Sequence, residues 1–140
     1  MALQPYLFFE GRCEEALEFY KKALGAQVQM LMRYAENPDP RGNPPGISKD
    51  KIMHACFRVG ESEVMASDGL CNGKPSFGGF ALSVPARDDA EARKKFEALS
   101  EGGQVKMPLA KTFFASSFGM VADRFGLTWM VIAGQQQGKP

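Results

Sequence analysis

The spacing of apolar residues along the chain predicts two helices. In the segment 12–25, apolar positions recur every three or four residues, acidic residues occupy the first turn and lysines the last, and Gly25 follows as a C-cap. In the segment 90–103, Asp88 and Glu91 resemble a capping box at the start of a second helix. The apolar stripe of this helix consists of Ala92, Phe96 and Leu99.

Short apolar or alternating runs predict eight strands around the two helices. In chain order these runs are QPYLFF, AQVQMLMRY, KIMHACFRV, EVMASD, GFALSVP, QVKMPLA, FGMVAD and LTWMVI. Residues 35–50 hold four prolines and two glycines, so we expect a long surface loop without regular structure there. Asp123 opens the turn between the last two strands, where we expect a structural role.

The order strand, helix, strand, strand, strand occurs twice, and the two copies share local sequence. Tyr20 and Phe96 lie 76 positions apart, and a Gln-Val pair follows each helix with an offset of 77. The pattern predicts an α+β fold of two tandem βαβββ modules that form a curved mixed sheet with a cavity. We expect a single domain over 1–140, with module one at about 1–70, module two at about 78–134 and a flexible tail at 135–140.

Composition excludes several classes of partner. The net charge is +1 and the basic residues are scattered, so the chain has no electrostatic footprint for nucleic acid or an anionic membrane. No apolar run approaches the roughly 20 residues of a membrane span, and the N-terminus lacks a secretory pattern, so we expect a cytoplasmic protein. Cys13, Cys56 and Cys71 share no CxxC spacing, which predicts free thiols.

The doubled pattern resembles the vicinal oxygen chelate superfamily, which includes glyoxalase I, extradiol dioxygenases and bleomycin-resistance proteins. PYLFFEGRCEEALEFYKKALGA, EVMASDG, GKPSFGGFALSV and KTFFASSFGMVADRFGLTWMVI are similar to the PhnB-like branch, often labelled 3-demethylubiquinone-9 3-methyltransferase-like. The resemblance covers nearly the whole chain. It implies the paired βαβββ fold and, as is common in the superfamily, a homodimer.

The resemblance also implies where a metal would be bound. Active members of the superfamily hold one with His, Gln or Glu side chains from four strands, and these positions align with Pro5, Ala66, Gly79 and Met130 here. None of the four provides a good ligand for a hard cation. We therefore expect no metal and no cofactor. The methyltransferase label is not expected to describe the activity, because no GxGxG turn follows a strand.

We therefore expect a protein that binds a small, partly apolar molecule in the cavity between the modules. Alternation along the strands, together with an aromatic loop that could close over the ligand, predicts the residues that contact it. These residues are Leu7, Phe9, Ser83, Phe113, Phe114, Thr128 and Met130.

An enzyme is the alternative, and the sequence leaves this question open. His54 is the only histidine, and with Asp68 it is the candidate for acid and base catalysis without a metal. A packed strand histidine and a turn-capping aspartate are the structural readings of the same two residues. A metal-dependent lyase or dioxygenase would need four ligands that the alignment does not provide.

Overall fold

A computed structural model describes residues 3–69 and 75–134 of the chain. Within these residues the chain forms two α-helices and eight β-strands, which fall into two compact units, Met1–Ser76 and Phe77–Pro140. The predicted flexible tail and Cys71 lie outside the described residues. Among the described residues, no helix is long and apolar enough to cross a membrane.

Each unit contains one helix and one four-stranded sheet. The first unit consists of β1 (Tyr6–Phe8), α1 (Cys13–Leu24), β2 (Gln27–Arg33), β3 (Ile52–Val59) and β4 (Ser62–Ser67). The second consists of β5 (Leu82–Ala86), α2 (Asp89–Ser100), β6 (Gln104–Ala110), β7 (Ser117–Ala122) and β8 (Thr128–Ala133).

The two sheets have the same topology. Their strand orders are β1-β4-β3-β2 and β5-β8-β7-β6, and in each the first strand pairs in parallel with the fourth while the other pairs are antiparallel. The predicted α+β fold with two βαβββ units is therefore confirmed. The proline-rich loop differs from the prediction, because Tyr34–Glu36 and Pro40–Gly42 form short 3-10 turns.

The helix boundaries follow from their capping residues. Gly25 adopts φ 68° and ends α1, and its N–H donates to the carbonyl of Lys21 at 3.1 Å. At the start of α2 the Asp88 side chain accepts from the N–H of Glu91 at 2.8 Å. The Glu91 carboxylate accepts in return from the N–H of Arg87, one residue before the position that a capping box uses.

One face of each sheet packs against the helix of the same unit, and we call the opposite side the far face. In the first unit, the Tyr20 ring of α1 lies 6.3 Å from the Phe9 ring and 5.8 Å from the Phe57 ring. In the second unit, the Phe96 ring of α2 packs over Gly119 of β7. Side chains alternate along a strand, so the neighbours of a residue that faces the helix point to the far face.

The hairpin between β7 and β8 is held by one buried carboxylate. Asp123 is 3% exposed, and its Oδ1 accepts from the N–H groups of Phe125 at 2.9 Å and Leu127 at 3.1 Å. Its Oδ2 accepts from Nε1 of Trp129 at 2.8 Å. Trp129 is thereby fixed on the helix face of β8, so Thr128 and Met130 lie on the far face.

Replacing Gly119 with Ala is expected to lower the free energy of unfolding by about 2 kcal/mol, because a core already packed closely accommodates an extra methyl group poorly. The added Cβ would lie 2.7 Å from Cε1 of Phe96 and 3.0 Å from the Leu109 Cα. Urea denaturation measures the change. Gly78→Ala is the matched control, since its Cβ would meet nothing within 4 Å and should change stability little. Equal effects of the two variants would contradict this account of the packing.

Candidate functional site

The far face of the second sheet carries a row of side chains from all four strands. Ser83, Met130, Met120 and Met107 are paired in register across β5, β8, β7 and β6. Met107 is 45% exposed, Met120 and Met130 are half-buried, and Ser83 is exposed. This row is therefore apolar, thioether-rich and accessible.

An aromatic cluster lies next to this row. Phe118 occupies the far face of β7 and pairs with Ile132 of β8. The Phe114 ring, in the loop between β6 and β7, makes an edge contact with Phe118 at 5.1 Å. Phe113 contacts Phe114 at 5.2 Å and is 92% exposed. Phe114 thus extends the apolar far face, whereas Phe113 projects into solvent.

The far face of the first sheet has an equivalent row. Tyr6, Met65, Cys56 and Met30 are paired in register across β1, β4, β3 and β2. Because the strand orders match, Met65 occupies the position that Met130 holds in the second unit. In both rows the three strands after the first contribute sulfur-containing side chains.

The orientation predicted for Leu7 and Phe9 is wrong. Leu7 is 2% exposed and pairs with Ala66, which in turn pairs with Ala55 of β3, on the same side as Phe57 and α1. Phe9 is fully buried against Tyr20. The residues of β1 on the far face are instead Tyr6 and Phe8, whose rings lie 4.9 Å apart.

His54 lies on the far face of the first sheet, two residues before Cys56 on β3. Its Nδ1 is 3.0 Å from the Tyr6 hydroxyl, and the two rings lie 5.5 Å apart. Such a pair can exchange a proton with a bound molecule, since each member has a second site for donation or acceptance. Tyr6 is 37% exposed, so the pair is reachable from solvent.

The structure does not bring Asp68 to His54. Asp68 follows β4 and is 4% exposed, and its carboxylate accepts from the N–H groups of Cys13 and Ile52, each at 2.8 Å. Cys13 is the first residue of α1, so this carboxylate caps the helix from a distant strand. Both carboxylate oxygens hold the main chain together, which is a structural role rather than that of a catalytic base.

The buried thiol beside Asp68 is not reactive. Cys13 is fully buried, and burial followed by the negative charge of Asp68 raises the pKa of its thiol far above the ordinary range. Since only the thiolate is a good nucleophile and metal ligand, Cys13 acts as a small apolar residue of the core.

A groove of about 500 Å³ lies beside Asp68 in the first unit. Its walls consist of Glu10, Gly11, Pro44, Pro45, Gly46, Ile47, Ser48, Lys51, Asp68 and Gly69. The Lys51 ammonium donates to the carbonyl of Gly11 at 3.0 Å, and Asp68 is engaged by two main-chain N–H groups. These two charged groups hold the proline-rich loop and α1 against the sheet.

The residues at the superfamily's metal positions do not fit a hard divalent cation. Pro5, Ala66 and Gly79 have no side-chain donor, and Ala66 is fully buried on the helix face. Gly79 precedes β5 rather than lying within it. Met130 offers only a thioether, which is a poor ligand for zinc, magnesium or manganese. The structure therefore supports no step through such a metal.

Two βαβββ units, each with one helix on a mixed four-stranded sheet, define a protein of the glyoxalase and bleomycin-resistance fold, the fold of the vicinal oxygen chelate superfamily. A glyoxalase-related enzyme from Fulvimarina pelagi shares this fold, with a TM-score of 0.62 at 17% identity over 95% of this chain and 87% of that one. The chain belongs to the 3-demethylubiquinone-9 3-methyltransferase family, whose model matches residues 1–132.

Individual relatives support this assignment over nearly the full length. The chain is 35% identical to protein YjdN of Escherichia coli, covering 98% of each chain. Its sequence is 42% identical to that of protein PA1353 from Pseudomonas aeruginosa. The TM-score against the crystal structure of that protein is 0.83, over 96% of this chain and 100% of that one. A putative 3-demethylubiquinone-9 3-methyltransferase, PhnB protein, from Bacillus cereus is 26% identical, with a TM-score of 0.79 over 95% and 99% of the two chains.

The methyltransferase activity in the family's description is not supported for this chain. No GxGxG turn follows a strand in the sequence, and both sheets mix parallel and antiparallel pairs. These units therefore do not form the Gly-rich turn on a parallel sheet that the common S-adenosylmethionine enzymes use.

Proposed function

We propose that this protein binds a small, partly apolar molecule on the far face of its second sheet, without the hard divalent metal of its superfamily. The row of Met107, Met120 and Met130 is the observation that carries the proposal. A sheet face that is exposed to solvent is ordinarily polar, in alternation with a buried apolar face. Here it is apolar and accessible, which marks an interaction surface.

The chemistry of this face indicates the class of ligand. Methionine side chains are flexible and polarizable, so they adapt to varied apolar shapes and make favourable contacts with aromatic rings. Ser83 and Thr128 add hydroxyl groups to the same face, and Phe114 adds an aromatic edge. A mainly apolar ligand with one or two hydrogen-bonding groups matches this composition.

Native mass spectrometry of the freshly purified protein tests for such a ligand directly. We expect a co-purified small-molecule mass, and we expect the protein to be a homodimer, since closed twofold assemblies are the commonest oligomers. A spectrum of apo protein would contradict binding of an abundant cellular molecule. A monomer would contradict only the dimer.

Replacing Met120 and Met130 together with Gln is expected to weaken binding of the dye 1-anilinonaphthalene-8-sulfonate roughly tenfold, because two apolar contacts worth about 1.4 kcal/mol in total are lost. Fluorescence titration measures the affinity. Val105→Gln is the matched control: it is 44% exposed, on the same strand as Met107, but its row lies on the helix face. An equal loss in both variants would contradict a site on the far face.

Proton-transfer catalysis is the second candidate, favoured by the 3.0 Å contact between Tyr6 and His54. In this alternative the co-purified molecule lies beside the Tyr6–His54 pair on the far face of the first sheet, and the enzyme would catalyse exchange of its acidic C–H protons with D₂O. We expect deuterium uptake with the wild-type protein and none with His54→Ala, at unchanged affinity for the molecule. Uptake that persists in His54→Ala would remove this histidine from any such reaction.

A further inference from the structure

The far face of the first sheet concentrates sulfur ligands around one thiol. Cys56 of β3 pairs with Met30 of β2 on one side and with Met65 of β4 on the other. Directly opposed side chains on neighbouring strands have Cβ atoms about 4.5–5.5 Å apart, so three sulfur atoms can converge on a single ion. Met30 is 42% exposed and the other two are half-buried, which leaves the group open to an ion from solvent.

An imidazole and a fourth sulfur lie in the adjoining row. His54 precedes Cys56 by two residues on the same face of β3, and it pairs with Met32 of β2. The contact between Nδ1 and the Tyr6 hydroxyl orients the ring. Metal-binding histidines ordinarily have this kind of support on the nitrogen that does not ligate, which assigns Nε2 as the ligating atom.

The donor set selects the type of metal. Thiolate and thioether ligands favour soft ions such as Cu(I), whereas zinc sites are built from Cys, His and carboxylates and magnesium sites from oxygen. Binding is a simple exchange: the thiol of Cys56 loses its proton to solvent as the sulfur bonds the cation, and no electron is transferred.

The second unit provides an internal reference. Its equivalent row holds Met107, Met120 and Met130, with methionine in place of the cysteine, and its first strand ends the row with Ser83 rather than Tyr6. Either row could provide apolar packing through its thioethers. The thiol and the imidazole distinguish the first sheet from the second.

We propose that the far face of the first sheet is a binding site for a soft monovalent cation, Cu(I) or Ag(I), held by the Cys56 thiolate and the thioethers of Met30 and Met65, with His54 as a fourth ligand. Three of its four ligands, Met30, His54 and Cys56, lie on β2 and β3, whereas the superfamily's aligned metal positions in this unit lie in or beside β1 and β4. The site also lies in a different unit from the face proposed above for the small molecule. Either proposal can therefore fail while the other stands.

Ag(I) is the first probe, because it has the ligand preferences of Cu(I) but does not undergo redox chemistry under these conditions. The experiment uses the full chain in a Cys71→Ser background, so that the remaining thiols are Cys56 and the fully buried Cys13. Competition titration gives the affinity and native mass spectrometry the stoichiometry. We expect one Ag(I) per chain, bound at least tenfold more weakly after Cys56→Ser.

The thioethers are tested separately, since any accessible thiol binds Ag(I) to some extent. The double variant Met30→Leu/Met65→Leu keeps the thiol and conserves side-chain volume, so the fold is preserved. We expect its affinity to fall at least tenfold, while the matched pair Met107→Leu/Met120→Leu in the second sheet leaves the affinity unchanged. Equal affinities for both double variants, or wild-type affinity in Cys56→Ser, would overturn the proposal.

X-ray absorption of the Cu(I)-loaded protein counts the ligands independently of affinity. We expect three sulfur scatterers in the wild type and one in Met30→Leu/Met65→Leu. A wild-type spectrum with a single sulfur would show binding by the thiol alone and would also overturn the proposal. Circular dichroism and the melting temperature of each variant separate a loss of ligand from a loss of fold.

Discussion

Replacing Asp123 with Ala is expected to lower the free energy of unfolding by about 4 kcal/mol, because each buried donor left without an acceptor is costly. The donors that the described residues direct at this carboxylate include the N–H groups of Phe125 and Leu127 and Nε1 of Trp129. No water can easily replace it, since Asp123 is 3% exposed and Trp129 is equally buried. Chemical denaturation followed by circular dichroism measures the loss.

Trp129 provides a second readout for the same variant. It is the only tryptophan, so native-state fluorescence reports on its surroundings without assignment. We expect the emission of folded Asp123→Ala to differ from that of the wild type, because the indole N–H no longer donates to a carboxylate. Asp39→Ala is the control, since the Asp39 side chain is 67% exposed and, within the described part of the chain, its ion pair is with an exposed Arg41. A loss below about 1 kcal/mol for Asp123→Ala would contradict the structural role, because surface pairs already account for that much.

Replacing Asp68 with Ala is expected to lower the free energy of unfolding by about 3 kcal/mol, and Asp68→Asn by about 2 kcal/mol. The N–H groups of Cys13 and Ile52 both donate to this carboxylate, one at the start of α1 and one at the start of β3. An amide can accept from one of them, but its NH₂ group then faces the other donor. Alanine accepts from neither.

Hydrogen exchange locates the effect of the Asp68 variants. We expect the amides of Cys13 and Ile52 to lose protection in Asp68→Ala, while the amides of the second unit keep theirs until global unfolding. Binding of the dye on the second sheet should be unchanged in the folded variant. Wild-type stability with lost binding would reverse our interpretation and restore Asp68 as a functional residue.

The elements were predictable because each one has its own local pattern. The stripe of α1, the left-handed Gly25 and the Asp88 cap are properties of short segments, and the structure places them where the sequence indicates. The duplication was predictable as well, because the order of elements repeats. Once the duplication is recognised, few topologies remain possible. Both units repeat one arrangement, in which the first and fourth strands pair in parallel at one edge of the sheet.

The faces of the strands were less predictable, and β1 shows why. Alternation assigns a side chain to one face only when polar residues mark the other, and Tyr6–Phe8 with Phe9 are aromatic or aliphatic throughout. The assignment then depends on packing against Tyr20, a contact between segments that no local pattern contains. On β8 the hydrogen bond of Trp129 decides the same question, and its acceptor, Asp123, lies only six residues earlier in the same hairpin.

The sulfur cluster was hidden from the sequence for a related reason. Cys56 lies 26 positions after Met30 and 9 before Met65, so no spacing motif connects them. Their proximity comes from strand order and register alone. The lack of CxxC spacing in this chain therefore does not exclude a site that contains a thiolate.

The parallel pairing of the first and fourth strands has a consequence for how the chain folds. Tyr6 pairs with Met65, 59 positions later, and Leu82 pairs with Trp129, 47 positions later. Each sheet is closed by a contact that spans almost its entire unit, and such non-local contacts slow folding because the long loop must be ordered first. During synthesis, β1 must wait without its partner until β4 has left the ribosome, whereas the β3–β4 hairpin can form at once. β1 is therefore the last strand of its unit to become protected.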